Sequence, residues 1–181
     1  MVQPIGPLMI EHRLIERMIS AMRKESRRLD QGEEPNLSFI DTAVDFVQTY
    51  ADACHHGKEE DILFRALESV AMDADDEKIK NELIEEHEWA RKKTSSLVKA
   101  KEDYLNGDKN APSRMITIME ELVDFYPKHI EKEDKDFFRA AMKYLDTDHQ
   151  EEILEEEYEF DRKFTHMLYK DIVSDIEEHY K

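Results

Sequence analysis

Apolar residues recur every three or four positions through five stretches of the chain. Short polar breaks separate the stretches: "DQGEEPN" at 30–36, "MDADDE" at 72–77, "NGDKNAP" at 106–112 and "LDTD" at 145–148. That period is the signature of helices with one buried face. Pro7 suits the first turn of the first helix. Ser38 with Asp41, and Thr147 with Gln150, read as capping boxes for the second and fifth helices, and Gly107 as a C-terminal stop for the third. Connections this short make consecutive helices antiparallel neighbours. The expectation is an all-α, up-down-up-down four-helix bundle over about 7–145. A further helix over about 148–179 completes a single domain of residues 1–181. In that last helix Ile153, Phe160, Phe164, Met167, Leu168, Ile172 and Ile176 form a packing stripe; His149, His166 and His179 fall at its surface or boundary.

Composition narrows the classes of partner. The chain of 181 residues is 40 % hydrophobic and 39 % charged, with a formal net charge of −18. So acidic a surface is unsuited to nucleic acid or to an anionic membrane. Cys54 is the only cysteine, which removes a disulfide framework and a thiolate zinc site, and reads as a half-buried small apolar residue. No run of about 20 apolar residues and no signal-peptide pattern is present, so the expected location is the cytoplasm.

The histidines stand out because of where they point. His12 shares a face with Leu8, Ile15 and Ile19. His87 shares one with Leu83, Ala90, Thr94 and Leu97, and His129 with Leu122, Phe125 and Glu133. Buried carboxylates are costly unless they are paired or hold a metal. Four His-x-x-x-Glu pairs occur (His12/Glu16, His55/Glu59, His56/Glu60, His129/Glu133), where roughly one would arise by chance at helical spacing. At least one is therefore incidental. "HHGKEEDILFRA" (55–66) laid over "HIEKEDKDFFRA" (129–140) equates His55, Lys58, Glu59 and Phe64 with His129, Lys132, Glu133 and Phe138. Helical phase at 100° per residue puts His55 on the face of Ile40, Val44, Ala51 and Ile62. The same phase turns His56 and Glu60 toward solvent. Gly57 and Pro127 interrupt their helices close to these residues, consistent with local backbone adjustment.

The order His12, His55-x-x-x-Glu59, His87, His129-x-x-x-Glu133 resembles the hemerythrin-like, or HHE cation-binding, family across the four bundle helices. The resemblance implies a centre of two non-haem iron ions, bridged by oxide or hydroxide. Its ligands would be His12, His55, Glu59, His87, His129 and Glu133. Two departures separate the chain from the classical oxygen carriers. Arg91 stands where they have a second histidine on the third helix. Glu133 stands where they use an aspartate one residue further along.

The donor count supports two metals without the family. Four imidazoles and two carboxylates exceed the four ligands of a structural zinc. Mixed His/carboxylate ligation with open positions suits iron better than manganese or zinc. The implied function is binding or sensing of O2 or a related small ligand such as NO or peroxide. The alternatives are a di-iron redox protein acting on peroxide or nitric oxide, or serving iron handling or repair, and a structural bundle whose site holds zinc or stays empty. Near the site, Glu16 and Arg91 are read as solvent-reaching or neutralising groups and Tyr126 as a boundary residue.

Overall fold

The computed structural model describes residues 3–162 and 166–180. Among these residues the fold is all-helical, with six helices and no strand. α1 is Ile5–Asp30, α2 runs over 37–67, α3 is Ala74–Leu105, and α4 runs over 111–141. α5 is Thr147–Asp161 and α6 is His166–His179. The single fifth helix expected over 148–179 is thus two elements. Phe164 and the side chains of His166, Met167 and Leu168 lie outside the described residues. α4 packs against both α1 and α3, α2 packs against α1 and α3, α5 lies on α2, and α6 lies on α1 and α2.

The helix ends follow from local chemistry. Gly32 and Gly107 take positive φ (87° and 90°) just beyond α1 and α3. In each case the residue after the glycine donates its N–H back to a carbonyl five residues earlier, Glu33 to Arg28 and Asp108 to Asp103. These are Schellman stops, and only glycine takes that conformation without steric cost. The two expected capping boxes are each displaced. Asn36, and not Ser38, accepts the Phe39 N–H at the start of α2 (3.0 Å). Asp146, and not Thr147, accepts the His149 N–H at the start of α5 (2.9 Å). In both cases the amide or carboxylate oxygen lies just before the helix, where it reaches the exposed N–H groups of the first turn.

Two of the rods are not uniform. Residues Phe46–His56 and Glu59–Phe64 of α2, and Glu133–Phe137 of α4, are π-helical. The Gly57 N–H, for example, reaches the Asp52 carbonyl five residues back. Pro127 sits within a continuous α-helical stretch, Ala111–Lys132. Lacking an N–H, it cannot satisfy the Val123 carbonyl, and Arg23 of α1 donates to that oxygen instead (3.4 Å).

The core divides into two apolar clusters. One holds Leu14 to Leu29, Phe39 to Ala51, Leu97 and Ala111 to Ile130; the other holds Ile5, Leu8, Ile62 to Leu67, Leu83 and Phe137 to Leu145. On α1, α2 and α3 the site histidines and glutamates fall between the two sets; on α4 His129 lies at the edge of the first set and Glu133 between them. A polar layer is therefore sandwiched between apolar floors, where water cannot compensate its charges.

Candidate metal centre

All six residues expected at the site are brought together in this layer, each essentially buried: His12, His55, Glu59, His87, His129 and Glu133. A seventh joins them. His56 is 1 % exposed, and its ring stacks on that of His87 with centroids 3.9 Å apart. The expectation that His56 faces solvent is therefore corrected. The physical reason is the π-helical backbone. Each π-turn takes up an extra residue, so successive side chains advance by less than 100°. The phase of Ile40 and Val44 is lost over Phe46–His56, and two adjacent histidines come to share one inward face. The outward placing expected for Glu60 is corrected as well: it is half-buried and turned onto His87.

The ligand-type atoms fall into two groups close enough to share an ion, His12/His55/Glu59/Glu133 and His56/His87/His129. The two carboxylates lie between sets of histidines. Glu133 brings Oε2 to 3.1 Å from His12 Nε2 and Oε1 to 3.1 Å from His129 Nε2. Glu59 directs Oε1 toward His55 Nε2 (3.6 Å) and Oε2 toward His87 Nε2 (3.4 Å). Despite these approaches, Nε2 of His12, His55, His87 and His129 and both oxygens of Glu59 and Glu133 have no hydrogen-bond partner. Buried polar atoms are ordinarily satisfied. Eight unsatisfied donors converging on one place fit a bound cation, and they are the residues' own evidence for it.

The other ring nitrogen of every histidine is fixed. Nδ1 lies against a carboxylate in all five: His12 against Asp134 (2.8 Å), His55 against Glu11 (2.9 Å), His56 against Asp52 (3.3 Å), His87 against Glu60 (2.7 Å) and His129 against Glu86 (2.7 Å). An ionised carboxylate only accepts, so a proton resides on Nδ1, and in His12, His55, His87 and His129 the buried, unpartnered Nε2 is the nitrogen left for the centre. Cations hold these carboxylates in turn. Arg13 binds Asp134, Lys58 binds Glu11, Arg91 binds both Asp52 and Glu60, and Lys132 binds Glu86. Arg91 thus braces two histidine-orienting carboxylates. Glu16 pairs with Arg13 at the surface and takes no part.

The arrangement has an approximate two-fold repeat. Glu11-His12 of α1 corresponds to Glu86-His87 of α3. In α2 and α4 the lysine three residues after each histidine, Lys58 or Lys132, grips the carboxylate that holds that histidine. Phe138 stacks on His12 and Phe64 on His87, with centroids 5.7 and 6.1 Å apart. His56 breaks the repeat, since Ile130 stands in its place.

Electrostatics of the side chains alone are unbalanced. Burial, then the neighbouring Glu133, pushes Glu59 well above the usual carboxylate range. Burial would raise Glu133 as well, but His129, His12 and His87 hold it well below. His56 is driven down to about 3 by burial and by His87, and so stays neutral, as a ligand must. His129 moves up to about 9, because Glu133 and Glu86 outweigh its burial. Buried charges of this kind are relieved when a cation takes the central position. Tyr126, expected at a boundary, is buried with its hydroxyl unpartnered, and it lines a cavity of about 270 Å³ that also touches His56 and Arg91.

The sequence signals that could have exposed the outer carboxylates were present. Glu11 and Glu86 each precede a site histidine, and Glu60 and Asp134 each follow a site glutamate. No match is found among curated proteins or solved structures. The model of the hemerythrin HHE cation-binding domain matches residues 3–141, a span that contains every residue of the layer just described. The chain belongs to the hemerythrin HHE cation-binding domain family.

Proposed function

We propose that the chain is a hemerythrin-like non-haem di-iron protein that binds or senses O2 or a related small ligand, NO or peroxide among them. The observation that carries this reading is the set of eight unpartnered nitrogen and oxygen atoms at the centre of the layer. The reading takes α1 to α4 as an up-down-up-down bundle within one domain, acting in the cytoplasm. One iron would be held by His12 and His55 and the other by His87, His129 and His56, with Glu59 and Glu133 shared between them. Support for sharing comes from each carboxylate directing its two oxygens toward different histidines. Seven donors exceed what a four-ligand zinc site uses. Five imidazoles against two carboxylates make a less anionic site than a ferritin-like one.

When bound, two such irons supply one-electron redox chemistry and open positions for a small ligand. The protein's own residues do the rest. The Nδ1–carboxylate contacts fix ring tautomer and aim. The two apolar clusters exclude water from above and below. The unequal count, two histidines against three, would leave the His12/His55 side with fewer protein ligands.

Metal analysis, with optical spectra of anaerobically reduced and then air-exposed protein, tests the reading. Two irons per chain and a reversible band on oxygenation support binding. Irreversible oxidation with peroxide turnover supports the redox alternative. A folded, iron-free product from iron-replete medium overturns the reading. His55→Ala and His56→Ala should both lower iron stoichiometry; His56→Ala with full occupancy and an unchanged spectrum removes the seventh ligand.

A further inference from the structure

Helix α5 meets α2 at the two residues that separate its ligand pairs. His55 and His56 precede Gly57 and Lys58; Glu59 and Glu60 follow them. A Cβ built on Gly57 would stand 3.1 Å from Cζ of Phe160 in α5, so the missing side chain is what admits that ring. Lys58 is fully buried, and its ammonium is shared between Glu11 of α1 and Asp161 of α5, the latter at 2.6 Å. Glu11 is the carboxylate against His55 Nδ1. An unbroken path of charge-assisted hydrogen bonds therefore runs from Asp161 through Lys58 and Glu11 to His55. Each link is directional; the Lys58–Glu11 and Glu11–His55 links are buried, where water does not screen them, and the Asp161 link lies at the edge of solvent.

A second observation bears on the strength of the contact. Glu157, one turn before Asp161, is fully buried with neither oxygen hydrogen-bonded. A carboxyl group left so is a cost that α5 bears in order to dock there. The docking is consequently weaker than its apolar contacts alone would make it, as expected of an element that can be released.

We propose that Lys58 and Asp161 are positioning residues for His55, through which the docking of α5 and the occupancy of the His12/His55 side of the centre are thermodynamically coupled. The proposal rests on the metal reading above. Metal at that side demands a fixed His55 and so favours the docked α5. Release of α5 takes Asp161 away from Lys58, loosens the grip of Lys58 on Glu11 and slackens His55. Coupling free energies are reciprocal, so the factor by which docking tightens metal is the factor by which metal tightens docking. In this reading α5 is the element through which metal or ligand state becomes legible on the protein surface.

The test uses the full chain, titrated anaerobically with Fe(II), with hydrogen exchange of the α5 amides followed in the same samples. In the wild-type protein two equivalents should bind, and α5 protection should rise as they do. Asp161→Asn, at a partly exposed position, should weaken one equivalent by roughly 10- to 100-fold, as losses behind a ligand do. It should leave the other equivalent unchanged and abolish the metal-dependent part of α5 protection. Lys58→Met should do the same where it folds, and circular dichroism decides that point. Wild-type affinity for both equivalents in Asp161→Asn, with α5 protection indifferent to metal in the wild type, overturns the proposal. Failure of the wild-type chain to bind Fe(II) at all instead removes the metal reading on which it rests.

Discussion

The two halves of the centre use the same parts in different surroundings. In one half His55, Glu11 and Lys58 form a chain of contacts; in the other His129, Glu86 and Lys132 form its counterpart. Lys58 is fully buried beneath α5, whereas Lys132 is 27 % exposed and shares its second contact with Glu82 at the surface. The same ion pair is thus a liability if broken in one half and nearly free to break in the other. Position relative to solvent, and not the motif, sets what the contact is worth.

The pair of stacked phenylalanines probes what the halves share. Phe64→Ala and Phe138→Ala each remove a fully buried ring from the same apolar cluster. Each should cost about 3–5 kcal/mol in urea denaturation, and the two should agree to within about 1 kcal/mol. A clear inequality would show that the repeat is one of geometry only. Lys58→Met comes next, at about 3 kcal/mol, because it removes a fully buried ammonium bonded to both Glu11 and Asp161. A cost below about 1 kcal/mol would show that α5 does not seal that half.

Glu157 supplies the pH dependence. Burial raises its carboxyl to about 8, with Glu11 and Asp161 adding to the rise and Lys58 opposing it. The folded protein therefore keeps a proton that the unfolded chain loses near its ordinary value of 4.5. Between those two values the folded state binds more protons, so this group's contribution falls as pH rises and is constant beyond about 8. Glu157→Gln should flatten that part of the stability–pH curve and raise stability at pH 8. An unchanged slope would refute the assignment. The smallest effect belongs to Lys132→Met, below about 1 kcal/mol. A larger loss would erase the distinction between the halves.

Much of this was legible in the chain itself. The apolar period gave the bundle helices, and the inward phase of His12, His87 and His129 gave the layer. The echo between residues 55–66 and 129–140 did more than fix a register, since it carried Lys58/Lys132 and Phe64/Phe138, whose equivalence is structural. His56 was not legible for a definite reason. Extrapolating 100° per residue from Ile40 assumes an α-helix, and the chain from Phe46 to His56 is not one. Gly57 was read as local relaxation beside the site. It holds ordinary helical angles, φ −59° and ψ −42°, and serves to admit Phe160. That role depends on a helix a hundred residues away, which spacing within α2 cannot reveal.

The wide turns of α2 also bear on how such a chain tolerates change in length. A helix carrying surplus residues in its turns can lose one without shortening its span or disturbing its neighbours, simply by tightening into the ordinary α form. Such a deletion between Phe46 and Cys54 would be absorbed within the wide turns, so that the core residues beyond them keep their places while side chains inside the turns are re-aimed. The histidine pair could then be reassigned from two inward rings to one. A single codon's loss would thus edit the donor set of the centre while sparing the fold that holds it.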